Sequence, residues 1–376
     1  MLAAYQISVD GAVVTSAFAP LLLSLIITDA DGGKADTLEI ELDDTGGQIA
    51  LPAIGASIEA LLWWEDPPPG ANGGAVQFTG KVDEVRSRGS REHGRTLVVM
   101  ARSADMKGKG KHKTSKHKDN SSFGDVAQEW GSDAGYEVSV DSSLASLQRD
   151  YWGMANESFL AWGRRTAEEI GATFKTAFPK AAFVPRNSGA SASGAALAGV
   201  TAAWGVNLIS WDISPTNARP LYANAKTRFY DHTKAQWNVD SQATGASGGE
   251  ADLTETFKHA DKGRAHARTS ANIASARRLQ AGVSCEIDGD PAAMSQADLT
   301  VVGARPGVDG QYRIKSARHA YARNGGWTTT CDAEQPQGAA GTDNRESGSS
   351  SDVAASDASS ASYNPLSSGG AYSPGT

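Results

Sequence analysis

The 376-residue chain has only two cysteines, Cys285 and Cys331. Two thiols cannot build a disulfide framework, and their spacing fits no metal-binding motif. We therefore expect a pair of reduced, half-buried thiols, as is usual for proteins that fold in a reducing compartment.

Long hydrophobic runs and a surplus of positive charge are also missing. The most apolar stretch, AFAPLLLSLIITDA (residues 17–30), falls short of the ~18–20 apolar residues that a membrane helix needs, so it predicts a buried strand. The N-terminal MLAAYQISVD lacks the positive region of a signal peptide, which favours a protein that starts in the cytosol. The net charge of −8 argues against nucleic-acid binding by bulk electrostatics.

The sequence has no H-E-x-x-H, Walker A or Rossmann fingerprint. Residues 245–249, GASGG, fit G-x-S-x-G, but they lie in a small polar run where we expect a loop. Residues 29–41 begin like a calcium loop, but their glycine and closing glutamate are misplaced, so we expect a hairpin turn. We therefore predict no catalytic, cofactor-binding or metal-binding residues.

Four further features allow more than one interpretation. Glu168 and Glu169 are adjacent on a predicted helix and point in different directions, which favours a solvated face over a glycosidase pair. The lysine-rich segment 107–118 is either a contact for DNA or an acidic tube protein, or a solvated mobile loop, which we favour. Trp63-Trp64 is a candidate subunit contact with one ring in the core. His319 is predicted to be a structural residue at a barrel surface, with an interface role as the alternative.

The chain is predicted to be α+β and mostly β. Residues 1–105 form a first β-barrel domain, because YQISVDGAVV, TLEIELDD and AVQFTGKVDEVRSR alternate in polarity between turn signals. Residues 106–186 form a small α/β domain with two helices, for which a serine before Phe123 and Asn156 are candidate caps and Gly171 a terminator. Residues 187–335 form a second β-barrel domain with an inserted helix at about 261–280. Residues 336–376 have hardly any large apolar side chains and are predicted to be disordered.

The last β region closes on a hairpin, VDGQYRIKSARHAYARNGGWTTTCDAE (residues 308–334). Its alternation slips by one residue after Ile314, which predicts a β-bulge, and Asn324-Gly325-Gly326 predicts a tight turn. Gln77-Phe78-x-x-Lys81 in the first region and Gln311-Tyr312-x-x-Lys315 here begin similar hairpins. The shared letters are few, so duplication of one barrel and chance both stay open.

Three stretches resemble the phage late-control D family, the baseplate hubs of contractile-tailed phages and phage-like tail bacteriocins. The first runs from GRTLVVMARSADM through the lysine-rich segment to SSFGDVAQEWGSDAGY, and the second is ESFLAWGRRTAEEIGATFK. The third runs from DKGRAHARTSANIASARRLQ through ADLTVVGARPGVDGQYRIKSARHAYARNGGWTTT. Together they cover most of residues 95–330, whereas the first ninety residues match in pattern only.

The resemblance implies a non-enzymatic hub with two related barrels per chain and a smaller domain between them. Three such chains would present six barrels to the six-fold tail tube and a three-fold face to the spike, around a central channel. The implied partners are the chain itself, a tail tube or tube-initiator protein, a separate trimeric spike and the tape measure protein, with DNA only in transit. The implied location is the virion tail baseplate, assembled in the host cytoplasm. The alternatives are a virion-associated cell-wall hydrolase, which a zymogram would reveal, and a carbohydrate-binding module.

Overall fold

Strands predominate over helices in the computed structural model, which describes residues 1–92, 94–246 and 248–335. This confirms the prediction of a mostly β protein with a few helices. The predicted disordered tail, residues 336–376, lies outside the described residues. We call residues 1–105 the first half, 106–186 the middle region and 187–335 the second half.

The first half forms an antiparallel sheet in the order β3-β4-β7-β6-β5-β1-β2. Asp10 and Gly11 make its first turn with positive φ angles of 47° and 80°, as the Asp-Gly signal predicts. Its elements are β1 (Leu2–Val9), β2 (Ala12–Val13), α1 (Thr15–Phe18), β3 (Leu22–Ala30), β4 (Thr37–Asp43), β5 (Ser57–Asp66), β6 (Ala75–Ser90) and β7 (Gly94–Arg102).

The middle region packs two longer helices and one short helix against short strands, over an aromatic core that includes Phe123, Trp162 and Phe183. Ser122 caps the first helix as predicted, but Ser158 rather than Asn156 caps the second, and Gly171 ends it at φ 70°. Its elements are a 3-10 turn (Lys109–Lys111), β8 (Thr114–Ser122), α2 (Phe123–Asp133), β9 (Glu137–Val140), α3 (Ser142–Ala145), β10 (Gln148–Glu157), α4 (Phe159–Ile170), β11 (Ala172–Ala177) and β12 (Lys180–Pro185).

The second half contains a larger insertion than the sequence predicts. The predicted helix is present as α5 behind an Asp261 cap, but the segments ANAKTRFYD and QWNVDSQ form a separate small sheet against it instead of barrel strands. The elements are β13 (Val200–Ala203), β14 (Leu208–Ser214), β15 (Asn224–Asp231), β16 (Gln236–Ala243), β17 (Asp252–Thr254), α5 (Lys262–Arg278), β18 (Gly282–Asp288), β19 (Asp298–Val302), β20 (Gly310–Ala322) and β21 (Gly326–Glu334).

Both halves belong to one 13-stranded sheet, because β20 of the second half pairs antiparallel with β3 of the first. The backbone ladders of the described residues follow an open path, so the predicted closure of each half into a barrel is not found there. The reason is local: the outer edge of β3, which a closed first half would need, is occupied by β20.

The two halves nevertheless have the same strand order. The first runs β3-β4-β7-β6-β5-β1, and the second runs β14-β18-β21-β20-β19-β13. Each sequence of pairings follows the same chain order, with the small sheet and α5 inserted between β14 and β18. The last pairing differs, since β1 is antiparallel to β5 whereas β13 is parallel to β19.

The equivalence extends to single residues. A bulge separates Leu22 from Ser24 in β3 and Leu208 from Ser210 in β14. A second bulge places one unpaired residue in each long strand, Asp83 in β6 and Lys315 in β20, and the latter confirms the predicted slip in the hairpin. We call residues at the same place in the two sets of ladders equivalent.

The ladders correct the letter match made from sequence. Lys81 pairs with Arg102 at the end of β7, and Arg313 pairs with Glu334 at the end of β21. Lys81 is therefore equivalent to Arg313 and not to Lys315, so the Gln-x-x-x-Lys coincidence is out of register by two residues. Both hairpins also turn over the same length, from Ser90 to Gly94 and from Ala322 to Gly326.

Candidate functional site at the joint between the two halves

One face of the shared sheet is buried and the other is polar, as alternation along a strand requires. In β4, Leu38, Ile40 and Leu42 are buried, while Glu39 and Glu41 lie on the opposite face. The same polar face continues on the equivalent strand β18 and across β6, β14 and the closing hairpin. Charged side chains on this face include Glu39, Glu41, Glu84, Arg86, Arg88, Asp212, Glu286, Arg318 and Asp332. Carboxylates outnumber guanidinium groups on it, so the face is acidic.

The two halves meet along β3 and β20, which pair from Ser24 opposite Ala322 to Ala30 opposite Ser316. Aromatic contacts support this joint from the buried side. The Trp64 ring stacks on Trp327 with 5.1 Å between the ring centroids, and its Nε1 donates to the Gly289 carbonyl at 2.7 Å. Trp64 is therefore the ring of the Trp63-Trp64 pair that packs against the core.

His319 lies within this joint, opposite Ile27, and only 1% of it is exposed. The predicted position at a barrel surface is therefore wrong. Nε2 lies 2.9 Å from the Ala293 carbonyl oxygen, which can only accept, so Nε2 donates and Nδ1 accepts from Thr329 Oγ1, also at 2.9 Å. Burial lowers the pKa of His319 to about 4, so the ring is neutral at pH 7.

A cluster of carboxylates in the turn between β3 and β4 fastens the middle region to both halves. Lys175 from β11 donates to Asp29, to Asp36 Oδ1 at 2.7 Å and to Ser295 Oγ at 3.2 Å. Asp31 accepts from Thr173 Oγ1 at 2.5 Å and from Arg186 Nε at 3.0 Å.

The cluster has a defined charge pattern. Burial raises the pKa of Asp36 to about 6, with a further rise from Asp29 that Lys175 opposes. Burial also acts to raise the pKa of Asp29, but the Lys175 ammonium group outweighs it and holds that pKa below its usual value. Although burial alone would lower it, the pKa of Lys175 is raised by both carboxylates. The result is a cation shared between three parts of the chain.

Known proteins are similar to this chain in sequence and in fold. A family model described as phage tail baseplate hub (GPD) matches residues 35–325. The chain belongs to this family. Proteins of the family are structural components of the phage tail baseplate.

Curated relatives support the assignment. The chain is similar to a probable baseplate hub protein of Escherichia phage 186, at 31% identity over 193 residues that cover 51% of this chain and 47% of that protein. It is also similar to the probable baseplate hub protein of Escherichia phage P2, at 30% identity over 199 residues that cover 52% of this chain and 49% of that protein. The chain thus spans about half the length of the curated relatives it matches.

A solved structure shows the same fold. The 43 kDa tail protein of prophage MuSo2 from Shewanella oneidensis superposes with a TM-score of 0.66, at 14% identity, over 89% of this chain and 99% of that protein. At this identity the likeness concerns the fold alone.

Several features singled out in the sequence occupy other places in this hub-family fold. Glu169 is largely buried against Arg149, at 2.9 Å, so the predicted solvated face holds only for Glu168. The lysine-rich segment is not a mobile loop throughout, because its second part is strand β8, where Lys116 and Lys118 pair with acidic residues of α2.

The remaining candidates also have defined positions. Cys285 and Cys331 are free, fully buried and directly opposite each other in the β18–β21 ladder, so they are more deeply buried than predicted. The turn at residues 31–36 joins antiparallel strands, which confirms the predicted hairpin. Ser247 of the G-x-S-x-G match lies outside the described residues, and β17 rather than a helix follows the flanking segment.

No three histidine, cysteine or acidic side chains within ranges 1–92, 94–246 and 248–335 come together in a group that could hold a metal ion. In the same part of the chain, no helix has the length and apolar character needed to cross a bilayer.

The residues that tie the middle region to the sheet are the ones that sequence reasoning missed. In the sequence Asp29, Asp31 and Asp36 resemble only a poor calcium loop, and no sequence pattern marks their partners Lys175 and Arg186. A signal was present, since three aspartates within eight residues next to a glycine pair are unusual for a plain hairpin turn. Their partners lie more than 130 residues away, so only the fold could supply them.

Proposed function

We propose that this chain is the structural hub of a contractile phage or phage-like tail baseplate and works as a homotrimer. In this arrangement three chains surround a central channel and contribute six sheet halves. The assembly then offers near six-fold symmetry to the tail tube and true three-fold symmetry to the spike.

The observation that carries this proposal is the equivalence of the two halves. They share six strands in the same order, the same two bulge positions and hairpins of the same length. A chance resemblance of topology does not require matching bulges, because bulges are specific features that families retain. We infer that the halves are two copies of one barrel-like domain, with residues 106–186 as the smaller domain between them.

The acidic polar face suits the wall of a channel. Carboxylates repel the phosphate backbone, and passing DNA finds few cations to neutralise its charge. We therefore assign this face to the channel through which the tape measure protein and then DNA pass. Glu41 and Glu286 would line it at equivalent positions of the two halves, and Glu39 lies on the same face of the first half.

The proposed partners are the chain itself, a tail tube or tube-initiator protein, a separate trimeric spike and the tape measure protein. We infer that assembly takes place in the host cytoplasm and that the hub acts through shape, without catalysis. A zymogram on host cell wall checks the last point, since clearing by the purified protein would favour a hydrolase instead.

Mass in solution is the direct test, measured for the purified chain alone and with the neighbouring spike protein. We expect about 117 kDa for the trimer, three times the 39.1 kDa chain. Electron micrographs viewed along the axis should show six lobes around a central hole. A monomer under both conditions, or a dimer, would refute the proposal.

A further inference from the structure

The joint inside the chain supplies a template for a joint between chains. Within the chain, the part of β20 beyond its bulge pairs with the outer edge of β3, from Ser316 to Ala322. The equivalent of that part of β20 is the part of β6 that begins at Glu84, and the equivalent of β3 is β14.

Both equivalent edges are open within the described residues. On its outer side, β6 pairs with β5 as far as Lys81, and Val82 bonds to Ala56 and Gly55. From Glu84 to Gly89, the ladders give β6 only β7 as a neighbour. The strand β14 pairs with β18, and on its other side it has only a bridge at Leu208.

The loops that end the outer pairing are also alike, which fixes the register of the comparison. Val82 N donates to Ala56 O, and Ile314 N donates to Ala297 O. The residue just before that acceptor in each loop has positive φ, 89° at Gly55 and 74° at Gln296, and its N–H donates to the carbonyl of the same long-strand residue, Val82 or Ile314. The outer pairing of β6 and of β20 therefore ends at equivalent residues, Val82 and Ile314.

We propose that the open edge of β6 pairs antiparallel with the open edge of β14 from a second copy of this chain, in the register of the β20–β3 joint. This inference rests on the proposed hub assembly and deepens it by naming the contact. The partner is a second copy because the complementary edge, β14, which is equivalent to β3, lies on this same chain. Each chain offers β6 to one neighbour and β14 to the other, a head-to-tail contact that can close a ring.

The register can be stated residue by residue. Ala320 lies opposite Ile26 in the internal joint, so Arg88 lies opposite Asp212 of the neighbour. In the same way Ser87 faces Ile213, and Gly89 faces Trp211.

Charge and shape favour this register. Arg88 and Asp212 are both exposed in the single chain, and they form an opposite-charge cross-strand pair in the proposed joint. The small residues Ser87 and Gly89 leave room for the larger Ile213 and Trp211 on the buried side.

The open edges of β6 and β14 also bear on how long the proposed ladder can be. Exposed strand edges are sites of unwanted pairing, and proteins commonly cover or interrupt them. Pro215, equivalent to Asp29, interrupts β14 just after its last residue, so the proposed ladder is shorter than the internal one. We therefore expect it to span about five residues on each side, enough for recognition by strand addition.

A cysteine pair tests the register in the full-length protein, alone and assembled with the spike. Directly opposite, non-hydrogen-bonded residues lie roughly 4.5 Å apart between Cα atoms, within the range that a disulfide spans. The variant Arg88→Cys/Asp212→Cys should therefore form cross-linked dimers and trimers on oxidation, with most of the protein above the monomer band. The native thiols are fully buried and should not interfere.

The matched control shifts one cysteine by one residue. In Arg88→Cys/Ile213→Cys the two thiols point to opposite faces of the sheet, so less than a tenth of the cross-linking is expected. Equal cross-linking in both variants would overturn the proposed register.

Charge reversal gives a second measurement that does not depend on oxidation. Arg88→Asp alone should weaken self-association several-fold, and Arg88→Asp/Asp212→Arg should restore it. Arg228→Asp is the control, because this exposed arginine lies on the small inserted sheet and carries the same charge change. A trimer in which Arg88→Cys/Asp212→Cys fails to cross-link would refute this contact and leave the hub proposal standing. A chain that is monomeric both alone and with the spike would refute the strand contact and the hub proposal together.

Discussion

Neutral His319, sealed in the joint between the halves, makes stability depend on pH in a way that can be measured. The pKa of the ring is about 4 in the folded chain, against an ordinary value of 6.5 once the chain unfolds. Between these values the unfolded state binds more protons, so acid favours unfolding. The stabilisation is fully present above pH 6.5 and is lost as the pH falls toward 4.

The size of the effect follows from the two pKa values. Linkage gives a loss of about 2 kcal/mol in the free energy of unfolding at pH 5, and about 3 kcal/mol once the pH falls below 4. Other groups titrate over the same range, so the quantity to measure is the difference between the wild type and His319→Gln. That difference removes the shared contributions.

The assay is urea unfolding of both proteins at one chain concentration, from pH 7.5 to pH 4.5. His319→Gln should be the less stable protein at pH 7.5, because it disturbs two buried hydrogen bonds. The gap should then narrow by about 2 kcal/mol by pH 5. His112→Gln removes an exposed histidine and measures the effect of the replacement itself. A gap for His319→Gln that stays constant with pH would refute the assignment of a buried neutral ring.

Three further predictions concern other parts of the fold. Lys175→Met leaves two carboxylates without their shared cation and should destabilise the chain by about 3 kcal/mol. Replacing the exposed Lys180 in Lys180→Met should change the stability little. Equal effects of the two variants in thermal melts would contradict the role of the cluster. Gly289→Ala would place a Cβ 2.2 Å from the Trp327 ring, so we expect a loss of about 1–3 kcal/mol in urea unfolding, against little change for Gly282→Ala, which has open space. Both cysteines should resist a thiol reagent in the native state and react in denaturant, and rapid native labelling would show that the β18–β21 ladder opens readily.

Local patterns in the sequence predict local structure well in this chain. The alternation of TLEIELDD gives β4 with its buried face, and the phase slip after Ile314 gives the bulge in β20. These features are set by neighbours along the chain, such as the side-chain period of a strand.

Features that depend on distant partners could not be derived from the same patterns. The pairing of β20 with β3 joins residues almost 300 positions apart, and it opens what sequence reasoning took for two closed barrels. The equivalence of the halves is hidden in the sequence because equivalent ladder positions carry different residues, such as Val98 and Thr330. A letter match therefore selected a register that is wrong by two residues.

The two ends of the long hairpins differ in a way that bears on how such a chain evolves. At one end, Ser90–Gly94 and Ala322–Gly326 turn over equal lengths, so an insertion in either one would break a repeat that occurs twice per chain. At the other end, the short link between β3 and β4 has as its counterpart the long excursion between β14 and β18. The longest insertion within the repeated strands lies at the end that differs, and new segments for attaching species-specific components are best sought there.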